Sequence, residues 1–376
     1  MEKILLKNVI AADGEAERLT DIFIADGIIK EMDSGLDCAV DTTIDGEGKT
    51  AVIPTLFDMH VHFRDPGQTH KEDVLTGCSA ALAGGVGGVV CMPNTNPPID
   101  SRETVDYILK KAKNTGVEVY PAACITKGMK GGELYDWKKL GVKIISDDGR
   151  PVENAELMRQ ALEQSKENGL LVASHCEDLH IINGGIMNKG KVSEKLGVKG
   201  MDRASEDSIT AREIALADSC GAHIHICHVS TKGSIEIIRD AKRRGINVTC
   251  EICPHYFTYT EEKLLARDAD YRTPAVRPLF KNDLFLEGFH IELHNGHLSK
   301  SAVVVTDPIN VLFRARGYVI NVWRIHINSL DGFPIRKSPK KRGKRQVHQT
   351  AGCLIFKGIC PCPIVENHSV GSRHGL

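Results

Sequence analysis

The stretch Ala51-Val-Ile-Pro-Thr-Leu-Phe-Asp-Met-His60-Val-His62 is an apolar run that ends in two histidines. Short runs rich in Val and Ile recur from here to about residue 259, and longer stretches with helical periodicity separate them. This alternation is typical of a parallel sheet with crossover helices. We therefore predict seven strands, at residues 51–62, 88–92, 117–124, 142–146, 170–175, 223–228 and 247–253.

Seven parallel strands with helices between them indicate an α/β fold, a TIM-type (β/α)8 barrel whose eighth strand is not identified. Two helix starts support this interpretation. Ser101 precedes an apolar pattern that includes Val105, and Asn154 precedes another segment with apolar residues at helical spacing. The fold prediction rests on this regular change of period along the chain.

The first fifty residues have a different pattern. Gly and Asp turns join short strands, which predicts a small antiparallel β element, a β-sandwich packed beside the barrel. We place its strands at residues 4–8, 21–25, 27–32 and 42–45. The predicted domains are thus a small β domain at 1–50, a barrel at 51–278 and an atypical segment at 279–376.

Composition narrows the function classes. The chain has 376 residues, a hydrophobic content of 41% and a formal net charge of −1. No excess of basic charge favours nucleic acid, and no apolar run is long enough to predict a membrane span. The 12 cysteines are scattered through apolar segments, which predicts reduced thiols. We expect a cytoplasmic protein with a small-molecule partner.

Histidines and one carboxylate fall at the predicted carboxyl ends of four strands. His60 and His62 lie two residues apart, so the strand period points both side chains to one face. Asp148, His175 and His228 each follow a later strand. In a TIM barrel this edge carries the active site. Any single member has a structural role as its alternative, but the set predicts a metal site.

Imidazole nitrogens and a carboxylate oxygen suit Zn²⁺, and four histidines that share one carboxylate suit two ions bridged by Asp148. Such a pair of ions activates water for attack on an amide carbonyl. We assign His223, His225 and His255 to structural or outer positions, because the first two precede the strand end and the third lies on a different strand.

Two polar residues beside the histidines predict an anionic substrate. Arg64 follows the histidine pair directly and can present a bidentate fork to a carboxylate. Asn94 ends the second strand on the same edge. The alternatives are a surface salt bridge for Arg64 and a turn role for Asn94, which shortly precedes Pro97.

Six motifs together resemble the dihydroorotase family of the amidohydrolase superfamily. They are His60-Val-His62-Phe-Arg64-Asp-Pro-Gly, Met92-Pro-Asn94-Thr, Ser146-Asp-Asp148-Gly, Ser174-His175-Cys-Glu-Asp, His228-Val-Ser-Thr and Cys253-Pro-His255-Tyr-Phe. The resemblance extends from the N-terminus to about Arg277. It implies the third step of pyrimidine synthesis, the reversible cyclisation of N-carbamoyl-L-aspartate to L-dihydroorotate.

The resemblance also implies roles for single residues. His60 and His62 would hold one Zn²⁺, His175 and His228 the other, and Asp148 would bridge them. Arg64 and Asn94 would bind the carboxylate of the substrate. Similar enzymes that act on hydantoins, dihydropyrimidines or allantoin usually bridge with a carboxylated lysine, so Asp148 favours a dihydroorotase. A hydantoinase- or allantoinase-like amidase and an inactive homologue are the alternatives.

The C-terminal part departs from the family. Similar enzymes end strand eight in Thr-Asp-His-Ala-Pro, whose aspartate transfers the proton, and this motif is absent from the sequence. Asp307, in Thr306-Asp307-Pro308, is the candidate substitute, with chance similarity as the alternative. Thr273 stands where the family commonly has a substrate-binding asparagine.

We interpret residues 279–376 as translated out of frame, replaced or disordered. A barrel without strand eight has two unpaired edges, so we expect poor folding. The basic run at 336–345 and the cysteines Cys353, Cys360 and Cys362 are then accidental and predict neither a nucleic-acid patch nor a metal cluster. The resemblance to the family implies two possible assemblies, a homodimer or an association with an aspartate transcarbamoylase.

Overall fold

The computed structural model describes residues 3–12, 16–253, 256 and 260–266, and the backbone of four strands between 302 and 359. Contacts divide the chain into two compact units, with the first boundary between Pro54 and Thr55. The first unit contains the N-terminal strands and the four late strands, and the second contains the helices.

The strands alternate with helices only in the second unit. The strands are β1 (Lys3–Ala12), β2 (Glu17–Ala25), β3 (Ile28–Asp33), β4 (Thr42–Asp45), β5 (Ala51–Pro54), β6 (Leu56–Val61), β7 (Val86–Cys91), β8 (Glu118–Ala123), β9 (Ile144–Ile145), β10 (Leu171–Ser174), β11 (Met187–Asn188), β12 (Gly200–Met201), β13 (Ile224–Ile226), β14 (Val248–Cys250), β15 (Ala302–Val304), β16 (Val311–Ala315), β17 (Tyr318–Trp323) and β18 (Ile355–Ile359). The helices are α1 (Val74–Ala83), α2 (Arg102–Ala112), α3 (Ala155–Asn168), α4 (Leu179–Ile182), α5 (Lys191–Leu196), α6 (Ala204–Cys220) and α7 (Lys232–Arg243). Short 3₁₀ turns lie at Lys127–Met129, Trp137–Lys139 and Glu261–Ala266. None of these described helices combines the length and the apolar content that a bilayer span requires.

The first unit contains a mixed sheet in the order β15-β5-β1-β2-β3, with β4 also paired to β1. β1, β2 and β3 are antiparallel neighbours, as the sequence predicts, but β4 and β5 run parallel to β1. The prediction of a purely antiparallel element is therefore wrong. The core of this sheet contains Leu6 and Val9 of β1, Ile22 of β2 and Val52 of β5. β16, β17 and β18 form a separate antiparallel sheet.

The second unit contains a seven-stranded parallel sheet in the order β6-β7-β8-β9-β10-β13-β14. The α/β class is confirmed, and six of the seven strands predicted from sequence lie in this sheet with their ends shifted by a few residues. The seventh, 51–62, contributes only its second half. Ser101 caps α2 and Asn154 caps α3, as predicted, because each side-chain oxygen accepts a backbone N–H of the first helical turn. β11 and β12 pair outside the main sheet.

The predicted strand 51–62 is two strands in different sheets. Ala51–Pro54 pairs with β1 in the first unit, whereas Leu56–Val61 pairs with β7 in the second. Proline supplies no N–H for a continuing ladder, which explains the break at this position. The domain boundary that we expected at residue 50 therefore falls after Pro54 in the structure.

The atypical segment 279–376 lies mostly outside the described residues. Its strand β15 pairs antiparallel with β5, not with either edge of the parallel sheet. β15 therefore does not supply the eighth strand that the sequence analysis left unidentified. Cysteines are free at the described positions that we predicted as reduced thiols, Cys91, Cys124, Cys227 and Cys250.

A buried carboxylate fixes the loop that follows β6. Asp65 has no solvent exposure and accepts hydrogen bonds from Tyr107 Oη at 2.8 Å, Lys111 Nζ at 2.7 Å and Val74 N at 3.3 Å. The hydrogen bond to Asp65 raises the pKa of Lys111 to about 12. These bonds attach the loop that carries Arg64 to the first residue of α1, Val74, and to two side chains of α2.

Asp65→Asn should destabilise the fold by about 3 kcal/mol, because a buried ion pair loses one partner and the Lys111 cation stays behind. Asp106→Asn is the matched control, since its ion pair with Arg102 on the same helix is more than half exposed and should contribute less than about 1 kcal/mol. Urea unfolding midpoints of both variants measure the difference. Equal midpoints would contradict this role for Asp65.

Candidate metal centre

Asp148 lies at the centre of the predicted histidine set. Its Oδ1 atom lies 3.4 Å from His60 Nε2, 3.4 Å from His175 Nδ1 and 3.3 Å from His228 Nε2. Its Oδ2 atom lies 3.5 Å from His62 Nε2. The side chain of Asp148 is only 4% exposed. The structure therefore brings together all five residues that the sequence predicts as metal ligands.

The four histidines form two pairs around Asp148. Nε2 of His60 faces Nε2 of His62 at 3.2 Å, and Nδ1 of His175 faces Nε2 of His228 at 2.9 Å. The first pair lies on or directly after β6, and the second pair follows β10 and β13. Carboxyl ends of parallel strands meet at one edge of a sheet, which explains why residues distant in sequence converge.

The outward nitrogens of three of these histidines face oxygen atoms. Nδ1 of His60 lies 2.7 Å from Glu251 Oε1. Nδ1 of His62 lies 3.0 Å from Asn94 Oδ1, and Nε2 of His175 lies 2.9 Å from Glu177 Oε2. Oxygen acceptors favour N–H on the nitrogen that faces them. The inward nitrogens then carry lone pairs.

Converging lone pairs and a shared carboxylate fit divalent metal ions. Two imidazole lone pairs 3.2 Å apart repel each other unless a cation or a proton lies between them. Three groups of described residues bring ligand atoms close enough to hold an ion: His60, His62 and Asp148; Asp148, His175 and His228; and His60, Cys227 and Glu251. Asp148 is shared by the first two. Neutral imidazole nitrogens with a carboxylate are typical ligands of Zn²⁺ and similar ions.

The charge of Asp148 is compensated locally. Burial alone would raise its pKa, but the imidazoles of His60, His175 and His228 hold the pKa well below the ordinary value. Burial likewise opposes protonation of His60, yet Asp148 and Glu251 raise its pKa well above the ordinary value. Burial lowers the pKa of His62 to about 3. Asp148 is therefore ionised at neutral pH and available as a ligand.

Arg64 is a half-buried cation beside this group. Its backbone has a φ of +57°, and burial lowers the pKa of its guanidinium while Asp148 opposes that shift. Across the described part of the chain, no carboxylate pairs with it at salt-bridge distance. The alternative of a surface salt bridge thus has no partner among these residues. Binding of a substrate carboxylate by Arg64 stays a prediction.

Asn94 contacts two of the candidate metal ligands, His62 and Asp148. Its Oδ1 faces His62 Nδ1, and its Nδ2 donates to Asp148 Oδ2 at 3.2 Å. These contacts orient an imidazole and a carboxylate at once. Binding of a substrate carboxylate by Asn94 remains a prediction.

Two carboxylates at the site were missed by the sequence analysis. Glu251 directly follows β14, so the strand-end argument that selected the histidines also applies to it. Glu177 lies two residues after His175. Of the histidines assigned to outer positions, His225 contacts Glu251 and Thr249, and His223 contacts Thr249. His255 and Asp307 lie outside the described residues.

Solved structures define the class of fold. An L-hydantoinase (dihydropyrimidinase) from Arthrobacter aurescens matches with a TM-score of 0.58 at 22% identity, covering 74% of this chain and 64% of that one. A D-hydantoinase matches with a TM-score of 0.57, also at 22% identity, over the same shares of the two chains. At this identity the likeness concerns the fold, which is that of the hydantoinases.

Sequence comparisons then give the family. A family model described as dihydro-orotase-like matches residues 48–234. Proteins named dihydroorotase are 50% identical in Trichlorobacter lovleyi, over 64% of this chain and 58% of the relative, and 46% identical in Geobacter sp. strain M21, over 75% and 67%. The one from Caldanaerobacter subterraneus is 43% identical, over 76% of this chain and 68% of the relative. The chain therefore belongs to the dihydroorotase family, and its matched part spans 58–68% of the length of these relatives.

Asp148→Asn should abolish tight binding of divalent metal, because both ligand groups lose their shared charge. Asp147→Asn is the matched control: Asp147 is equally buried, but it accepts from Ile125 N at 2.7 Å and Thr126 N at 3.2 Å and faces no histidine of the site. The loss of zinc affinity in Asp148→Asn should exceed roughly 10–100-fold, the loss typical when a residue that hydrogen-bonds a metal ligand is replaced. Elemental analysis after dialysis against Zn²⁺ measures it, and equal zinc contents in the two variants would contradict the assignment.

Proposed function

We propose that this chain is a dihydroorotase, which interconverts N-carbamoyl-L-aspartate and L-dihydroorotate. One observation carries the proposal: a buried aspartate is shared by two histidine pairs, next to a guanidinium without a carboxylate partner among the described residues. The first feature suits hydrolysis of a cyclic amide, and the second suits a substrate that bears a carboxylate. The names of the relatives support the same reaction.

We assign two Zn²⁺ ions to the site, one held by His60 and His62 and one by His175 and His228, with Asp148 shared. Bound metal ions of this kind activate water and polarise the amide carbonyl. Arg64 binds the substrate carboxylate, which places the ring above the histidines. Asn94 keeps His62 and Asp148 in position, and burial of Asp148 keeps its charge from being screened by water.

Ring opening requires a proton for the leaving nitrogen and a base for the reverse direction. Asp307 is the residue proposed for this transfer, on sequence similarity alone. Asp307 lies outside the described residues, and the strand that precedes it in sequence, β15, pairs with β5 rather than with the parallel sheet. Asp307→Asn would leave the rate of ring opening unchanged if another residue carried the proton.

We further propose that the parallel sheet closes into a (β/α)8 barrel. Support comes from its two edge strands, because His60 on β6 and Glu251 after β14 lie 2.7 Å apart although they are at opposite edges. A cytoplasmic location, and a homodimer or an aspartate transcarbamoylase as partner, are further proposals that follow from composition and family alone.

A hydantoinase-like amidase is the second candidate, because hydantoinase structures share the fold. Asp148 favours the first candidate, since enzymes that act on hydantoins usually bridge their metals with a carboxylated lysine. An inactive homologue is the third, and the missing Thr-Asp-His-Ala-Pro motif is its support.

The purified, zinc-loaded chain should open L-dihydroorotate to N-carbamoyl-L-aspartate, which the loss of ultraviolet absorbance of the ring measures. Asp148→Ala, purified in the same way, controls for contaminating host enzyme and should show no turnover. Hydantoin, allantoin and dihydrouracil are the comparison substrates. Faster turnover of hydantoin or allantoin would contradict the proposal, and zinc uptake without any turnover would identify an inactive homologue.

Arg64→Gln should lower kcat/KM for L-dihydroorotate by about 10–100-fold, because a charge-assisted contact is worth about 1.5–3 kcal/mol. The loss should appear mainly in KM. Dihydrouracil lacks the carboxylate, so the same variant should lose little of whatever activity the chain has toward it. A similar loss for both substrates would mean that Arg64 shapes the site without binding the carboxylate.

A further inference from the structure

Glu251 is a carboxylate with three partners in the metal centre. Its Oε1 lies 2.7 Å from His60 Nδ1 and accepts the backbone N–H of His228 at 3.2 Å. Its Oε2 lies 3.1 Å from His225 Nε2. The side chain is 16% exposed, so these contacts compete with little water. One side chain therefore touches one member of each histidine pair.

The contact with His60 selects which nitrogen of that imidazole faces the site. A carboxylate at Nδ1 favours the proton there and leaves the lone pair of Nε2 directed at Asp148 and His62. The approach of Glu251 is close in distance but not aligned as a straight hydrogen bond, since His60 Nδ1 has none of regular geometry. Charge, rather than directed hydrogen bonding, thus dominates this contact.

The contact with His228 acts on the backbone. His228 has a φ of +36°, in the left-handed region that non-glycine residues rarely adopt. Such a conformation costs about 1–3 kcal/mol and persists only when its surroundings hold it. The N–H of His228 donates to Glu251, and this conformation turns Nε2 toward Asp148 at 3.3 Å.

The third partner holds Glu251 itself. His225 contacts Oε2 with Nε2, and its Nδ1 lies 2.9 Å from Thr249 Oγ1 on β14. Each oxygen of Glu251 therefore has a defined partner, which restricts rotation of the carboxylate. Glu177 faces His175, a member of the second histidine pair.

We propose that Glu251 is a positioning residue that presents His60 and His228 together, so that both ligand groups depend on it for metal affinity. The proposal rests on the metal-dependent function proposed above, but it concerns uptake of metal rather than turnover. Glu251 itself contacts neither Asp148 nor, on this proposal, the substrate.

The test is zinc affinity of Glu251→Gln in the full chain, measured by competition with a chromophoric chelator. Glutamine keeps the size of the side chain but removes its negative charge. Its NH₂ group also leaves either His225 alone or both His60 and His228 without an acceptor. Both zinc-binding steps should weaken by about 10–100-fold. Glu177→Gln should weaken one step and leave the other unchanged.

Asp21→Asn is the control for lost stability. Asp21 is a buried carboxylate of the first unit that accepts from Asn8 N at 2.8 Å and Leu36 N at 3.0 Å. It should destabilise the fold without changing either zinc affinity. If Glu251→Gln is insoluble, Glu251→Asp takes its place. Aspartate keeps the charge but has a shorter reach, so both zinc-binding steps should still weaken, by about 10-fold.

Wild-type zinc affinity in the Glu251 variants would overturn the proposal. Weakening of only one of the two zinc-binding steps would overturn it too. A wild-type chain that takes up no Zn²⁺ would overturn it as well. Zinc uptake with the expected pattern but without ring opening of dihydroorotate would support the role of Glu251 and refute the proposed reaction. The two proposals therefore fail separately.

Discussion

The negative charge of Asp148, buried inside the parallel-sheet unit, is the constraint on which the site depends. An ion removed from water costs several kcal/mol unless opposite charges and hydrogen bonds replace its hydration. Four imidazole nitrogens within 3.5 Å provide that replacement here. The imidazoles in turn need partners for their outer nitrogens, and Glu251, Asn94 and Glu177 supply them. The charge of Asp148 thus depends on the imidazoles, and the orientation of the imidazoles depends on their outer partners.

This arrangement sets conditions on the sheet. Asp148, His175 and His228 follow the neighbouring strands β9, β10 and β13, whereas His60 and His62 come from β6 at one edge of the sheet. The sheet must therefore bend until its two edge strands approach each other, as the contact of His60 with Glu251 shows. Its enclosed core contains small and medium side chains, among them Val90, Ala122, Ala173 and Cys227. Side chains of this size allow strands from opposite edges to come close, whereas several large aromatics would hold the edges apart.

The sequence predicts the parts of the structure that local periodicity controls. The period of two along β6 places His60 and His62 on one face, and strand ends locate Asp148, His175 and His228. Pairing between distant segments is not a local property, so the parallel pairing of β4 and β5 with β1 was not predictable. Glu251 was overlooked because a single glutamate has many ordinary roles on a protein surface, and only its burial against His60 and His228 distinguishes it.

Lys111 illustrates how the interior constrains a position at the surface. Its side chain is 34% exposed, yet its ammonium group neutralises Asp65, which has no exposure at all and directly follows Arg64 in sequence. An arginine there would need space for a larger planar group, and a neutral residue would leave a buried charge without its counter-ion. Over evolutionary time this partly exposed lysine should therefore vary as little as a residue of the core. Acetylation of its amine would remove the counter-ion of Asp65 and so loosen the loop that carries Arg64.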